Sequence, residues 1–181
     1  MPLILTVPER EFYDEKTGRF ISTKKTVLQL EHSLLSITKW ESKWHKPYLS
    51  KIEKTDEESF DYIRCMCLNK DIDPNVFRAL GPKQAQMIAD YINNPMTATT
   101  IKRKENRPSK EIITNELVYY WMTNFSIPFD PCEKWHFNRL MTLIEIASIK
   151  SQPAKKMGKN QAARERSALN AQRRAKFNTR G

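Results

Sequence analysis

The spacing of apolar positions changes at residue 33, from short runs and alternation to a three-and-four repeat. Ahead of that point, Leu3 to Val7 is apolar and rich in β-formers, and Pro8 ends it. Glu11 to Thr23 has the form of a hairpin. Glu11-Phe12-Tyr13 and Arg19-Phe20-Ile21 flank a polar turn, Asp14 to Thr17, closed by Gly18. Thr26 to Glu31 supplies a further strand. Residues 1–32 therefore predict a small antiparallel sheet with one buried face.

From Ser33 onward the pattern is helical. Ser33 caps a helix whose Leu34, Ile37, Trp40, Glu41 and Trp44 share one side, and Pro47 ends it. Thr55 and Glu58 form a capping box, in which each satisfies an otherwise orphan N–H of the other's residue. The helix behind it is expected to turn Phe60, Ile63, Met66 and Cys67 inward. Asp73-Pro74 opens a short helix through Val76, Phe77 and Leu80, and Gly81-Pro82 breaks it. Lys83 to Asn93 predicts another, with Met87, Ile88, Tyr91 and Ile92 inward.

Pro95 to Pro108 reads as a linker. Thr97, Thr99, Thr100 and Ile101 have strand character, and Lys102 to Pro108 is a basic solvated loop. Ser109 or Thr114 starts a helix through Leu117, Tyr120, Trp121 and Phe125, stopped by Pro128. Asp130-Pro131-Cys132-Glu133 predicts a further helix start, followed by Trp135, Leu140, Leu143, Ile144 and Ala147 on a wide apolar face. The fold class is thus α+β, mainly α. A β-sheet region at 1–32 precedes a helical domain at 33–152, with its basic loop near 102–108, and a basic helical tail at 153–181.

Charge sharpens that division. Residues Ile149 to Gly181 carry ten Lys/Arg against one acid, Glu165, and so hold +9 of the formal +10; residues 1–148 are left at +1. A tail of this kind repels itself and is drawn to anions or acidic surfaces. Asn160 to Lys176 is rich in alanine and arginine and has helix propensity, but such a segment alone is marginal in water. No apolar run approaches the roughly 20 residues that cross a bilayer, and Met1 to Pro8 lacks the basic and long apolar regions of a signal peptide. The expectation is no membrane partner and a place in the cytosol of the producing cell. Three cysteines without framework spacing fit free thiols.

Candidate chemistry changes the picture little. Cys132 and His136 stand four apart on the expected helix and, with Cys65 and Cys67, offer a possible zinc set. Successive helical residues turn about 100°, so Cys65 and Cys67 point about 200° apart, and buried thiols are the favoured reading. His32, His45 and His136 have no nucleophile or paired acid at a recognisable spacing. No catalytic residue, metal or cofactor is expected, and the protein reads as a non-enzyme. The cationic tail suits nucleic acid on electrostatic grounds alone, because Phe177 is its only aromatic residue. Trp40, Trp44, Trp121 and Trp135 suit either a core or the rim of a protein-binding groove.

Several segments carry a resemblance: Leu30–Pro47 (LEHSLLSITKWESKWHKP), Asp61–Met66 (DYIRCM), Asn94–Thr99 (NPMTAT), Lys134–Leu140 (KWHFNRL) and Leu169–Arg174 (LNAQRR). Together they resemble small proteins of siphovirus-like bacteriophages with long non-contractile tails, described as tail assembly chaperones or tail proteins. The resemblance implies a chaperone that coats the tape-measure protein while tail-tube subunits polymerise, acting in the host cell cytoplasm. It brings no catalytic residues. The expected contacts are Trp40, Trp44 and His45 for apolar packing and Arg164, Arg166, Arg173, Arg174 and Lys176 for charge. Tape-measure protein is the first expected partner; tail-tube protein and self-association are further ones. The alternatives are a structural subunit of the phage neck or tail, retained in the virion, and a nucleic-acid-binding module acting through 153–181.

Overall fold

The computed structural model describes residues 1–14, 18–50, 52–101, 111–152 and 159–178. Its elements are an N-terminal β part followed by helices, an α+β fold that is mainly α. The chain divides into two compact units, Met1–Ser148 and Ile149–Gly181.

Four strands open the first unit: β1 (Leu3–Val7), β2 (Arg10–Asp14), β3 (Arg19–Thr23) and β4 (Thr26–Leu30). They form two antiparallel pairs where one sheet was expected: β1 with β4, and β2 with β3. Pro8 lacks an N–H and separates β1 from β2. The pair β1–β4 sets Leu3 opposite Leu30 and Leu5 opposite Leu28, and Leu5, Val7, Leu28 and Leu30 are wholly buried. The hairpin β2–β3 is peripheral: Tyr13 and Phe20 are 54% and 72% exposed and pack edge to face on each other. Within the hairpin turn, residues 15–17 lie outside the described residues.

Helix α1 (Leu34–Trp44) starts at Ser33, whose hydroxyl accepts from the Ser36 N–H while Ser36 Oγ accepts from the Ser33 N–H. It ends at His45 in the left-handed region (φ 52°). Helix α2 (Asp56–Met66) starts from the Thr55–Glu58 capping box. Its inward face is only partly the expected one: Met66 is buried and Ile63 and Cys67 pack half-buried against the core, but Phe60 does not. Phe60 is 43% exposed, while Glu58, Asp61, Tyr62 and Met66 are buried. The helix is turned so that its carboxylates meet α1, as described below. Helices α3 (Asn75–Arg78) and α4 (Pro82–Asn93) follow; α4 buries Ile88 and Tyr91, whereas Met87 faces out. Thr97 to Ile101 forms no strand. The basic stretch 102–108 and Ser109 lie outside the described residues. Helix α5 (Asn115–Asn124) starts at Thr114 and buries Asn115, Val118 and Met122, with Tyr120 turned to solvent.

The helix expected from Asp130 begins later. Asp130 is extended (φ −88°, ψ 129°) inside the one-turn α6 (Phe129–Cys132), and α7 (Phe137–Ser151) starts only at Phe137. The cause is tertiary. The stretch 29–35 acts as a spine that recruits backbone from two directions. The N–H of Glu31 bonds Met66 and that of Leu68 bonds Gln29; the N–H of Phe137 bonds His32, and Ser33 bridges His136. Backbone spent on that bridge cannot also close a helical turn. Cys132 and His136 therefore do not share a helix, and Trp135 sits in a turn.

In the second unit, α8 (Lys159–Phe177) is a single helix, and every described side chain on it, from 163 to 177, is exposed. Pro153 lies outside the described residues. Among the described residues no helix is long and apolar enough to cross a membrane.

Candidate functional site: a buried polar seam and an exposed cationic helix

The body segments that carry the sequence resemblance converge. The Leu30–Pro47, Asp61–Met66 and Lys134–Leu140 stretches build one seam of buried polar groups around the start of α1. His32 is buried, with Nδ1 hydrogen-bonded to the Tyr62 hydroxyl. That hydroxyl also meets Ser36 Oγ at 3.2 Å, and Tyr48 stacks on the Tyr62 ring at 3.8 Å. Burial, with His136 beside it, lowers the His32 pKa to about 3, so the ring stays neutral. His136 is also lowered by burial. Its Nδ1 accepts from the Asn138 N–H at 3.3 Å and its Nε2 lies 3.0 Å from the Tyr91 carbonyl, which defines a neutral ring protonated at Nε2. The Tyr91 hydroxyl donates to the Glu31 carboxylate at 2.5 Å. Asn138 further ties α7 to the Asn94–Thr99 segment by donating to the Ile92 and Asn94 carbonyls.

A second cluster joins α1 to α2. The Trp40 indole donates to the Glu58 carbonyl at 2.8 Å and that of Trp44 to Asp61 at 2.9 Å. Lys43 pairs with Asp61 at 2.6 Å, and Lys46 pairs with Glu58. Hydrogen bonds from Lys46 and from the Thr55 N–H hold the Glu58 carboxyl below its ordinary pKa. Burial pushes Asp61 up, but the bonds from Lys43 and Trp44 outweigh it and the net shift is downward. Buried Glu41 accepts from the Tyr48 N–H at 2.6 Å and from the Asn115 N–H at 2.8 Å. It thereby caps α5, whose own Thr114 makes no side-chain cap. Burial raises the Glu41 pKa despite those two bonds.

These placements sort the expected contact residues. Trp40 is 1% exposed and belongs to the core, so as folded it offers a partner no surface. Trp44 is half-buried with its N–H occupied, and His45 is exposed. The cations Arg164, Arg166, Arg173, Arg174 and Lys176 are all exposed on α8. Burial raises the pKa of the Cys65, Cys67 and Cys132 thiols, the reverse of nucleophile activation. Among the described residues no three His, Cys, Asp or Glu side chains are grouped to hold a metal ion.

The sequence reading missed Tyr48, Tyr62, Tyr91 and Asp61 as seam partners. Glu41 was signalled by an acid standing on the apolar spacing of α1. Two surface hollows flank α5. One, of about 260 Å³, is lined by Glu41, His45, Lys46, Asn115 and Glu116; the other, of about 330 Å³, is mainly apolar, lined by Trp121, Phe125, Met141 and Ile144 together with Glu145 and Ser148. No protein-family model, curated protein or solved structure matches the chain.

Proposed function

We propose that this protein is a non-enzymatic tail assembly chaperone of a siphovirus-like bacteriophage, which binds the tape-measure protein while the tail forms. The observation that carries it is α8, a 19-residue cationic helix whose described side chains all lie in water. The body's buried carboxylates are instead held by Lys43, Lys46, the Tyr91 hydroxyl and backbone N–H groups. A long helical tape measure exposes amphipathic stripes, and helix docking with charge attraction suits such a partner. The resemblance of the seam segments and of Leu169–Arg174 to tail proteins supplies the identity of that partner. Half-buried Trp44 and exposed His45, at the C-terminal end of α1, are kept as the apolar contact; Trp40 is withdrawn from it.

The test is a pull-down from phage-producing cells with the full chain and with a chain lacking 153–181. The expected result is a very long helical protein recovered by the full chain alone. Recovery of metabolic enzymes, or of nothing, sinks the chaperone function. Presence of the chain at fixed copy number in purified mature particles establishes the virion-subunit alternative instead.

A further inference from the structure

The cations of α8 are not equivalent. Each helical residue turns about 100°, so the steps of three, four and three that separate Arg166, Leu169, Arg173 and Lys176 place them in one stripe about 80° wide. Phe177 borders the stripe, with the Lys176 ammonium 5.9 Å from its ring centre. Leu169 and Phe177 are 53% and 67% exposed. Arg164 lies on the far side of the helix with Ala168, Ala171 and Ala175, and Arg174 lies between the two faces. The lone acid, Glu165, stands one turn ahead of Leu169 at the stripe's edge.

This 3-4-3 spacing is that of a coiled-coil seam, but three of its four positions are cations and Leu169 alone is apolar. Two copies of α8 brought together on it would press Arg166, Arg173 and Lys176 against like charges, which opposes self-pairing. A bare phosphate backbone would satisfy the cations and leave Leu169 and Phe177 in water. Deepening the chaperone function proposed above, on which it rests for its biological setting, we infer that the Arg166–Leu169–Arg173–Lys176 face of α8 docks an acidic amphipathic helix. Leucines of that helix would cover Leu169 and Phe177, and its flanking carboxylates would take the guanidinium groups in two-pronged pairs.

The experiment titrates the full chain with a synthetic three-heptad peptide of Glu and Leu. Controls are the same peptide with Leu replaced by Ser, and a short DNA duplex. The Glu/Leu peptide should bind at least about tenfold tighter than the Ser control, the size set by burying one or two apolar side chains. Arg166→Glu with Arg173→Glu should remove binding, Leu169→Ser should weaken it about tenfold, and Arg164→Glu should leave it nearly unchanged. Circular dichroism of each variant confirms that α8 keeps its helix. Equal binding of the two peptides, equal loss from Arg164→Glu, or tighter binding of DNA that ignores Leu169→Ser overturns the inference. Tape-measure recovery undiminished by the Arg166→Glu/Arg173→Glu chain overturns this face and leaves the chaperone function standing. Peptide binding by a wild-type chain that recovers no tape measure does the reverse.

Discussion

Residues 1–148 and residues 149–181 use charge in opposite ways. The first unit nearly balances at +1 and encloses Glu31, Glu41, Glu58 and Asp61 against named donors. The second carries +9 and leaves its described cations in water. A buried ion already paired has spent its field on fixing one geometry, and its removal is felt as lost stability. An exposed cation contributes little to the fold and remains free to steer a partner. Under the proposed function, shape and charge-based recognition fall to different parts of the chain.

The largest break in that contrast comes from Trp40. Its side chain is fully enclosed and its indole N–H holds the Glu58 carbonyl. Trp40→Ala should cost about 3–5 kcal/mol in urea unfolding, from lost burial and the cavity left behind. Trp44, Trp121 and Trp135 all remain as fluorescence reporters of the first unit. A loss under about 1 kcal/mol would mean that the α1–α2 seam does not organise the core.

Acid is the next probe. His32 is held near pKa 3 against an ordinary 6.5, and His136 is lowered as well. A histidine kept neutral by the fold but free to protonate when unfolded gives stability that is complete above about pH 6.5. That stability drains as the pH falls toward 3, at up to about 1.4 kcal/mol per pH unit for His32. Glu58 and Asp61, with lowered values, add loss in the same sense below about pH 4.5. Glu41, raised by burial, works against them by taking its proton earlier in the fold. The tail contains no histidine. The urea midpoint read by tryptophan fluorescence should therefore fall between pH 7 and 5, and His32→Gln should flatten that fall. A midpoint independent of pH over this range would remove the neutral histidine pair from the account.

Local signals in the chain were legible, and distant ones were not. The Ser33 cap, the Thr55–Glu58 box and the Gly81-Pro82 break act over three residues or fewer, so sequence spacing contains the whole interaction. The orientation of α2 depends on Lys43 and Trp44 and on His32, which lie from 17 to 30 residues from their partners. Those partners make burial of Asp61 and Tyr62 favourable and leave Phe60 outside, against the apolar-inward rule at Asp61 and Phe60 while Met66 still obeys it. The delayed start of α7 has the same origin, because strong local capping at Asp130 yields to a bridge with Ser33. Helix α8 was legible because alanine and arginine have high intrinsic helix propensity. Its division into a mixed stripe and a small-residue back needed only the helical turn.

A smaller effect separates capping from packing within the first unit. Ser33→Ala removes the acceptor for the Ser36 N–H and should cost about 1 kcal/mol, whereas Ser33→Gly should cost only a few tenths. If both cost the same, the hydroxyl acts through the seam rather than through the helix end.

The smallest effect is the most discriminating between the two units. Arg173→Ala deletes an exposed side chain on α8, and fluorescence-monitored stability should stay within about 0.5 kcal/mol of wild type. Binding of the acidic peptide by the same variant should weaken and lose part of its salt dependence, because a screened cation–carboxylate attraction has gone. The two readouts must diverge if charge in the second unit serves recognition alone. Equal losses in stability and in binding would place Arg173 among the groups that hold the fold, and the contrast between enclosed and exposed charge would fail at the residue where it is drawn most sharply.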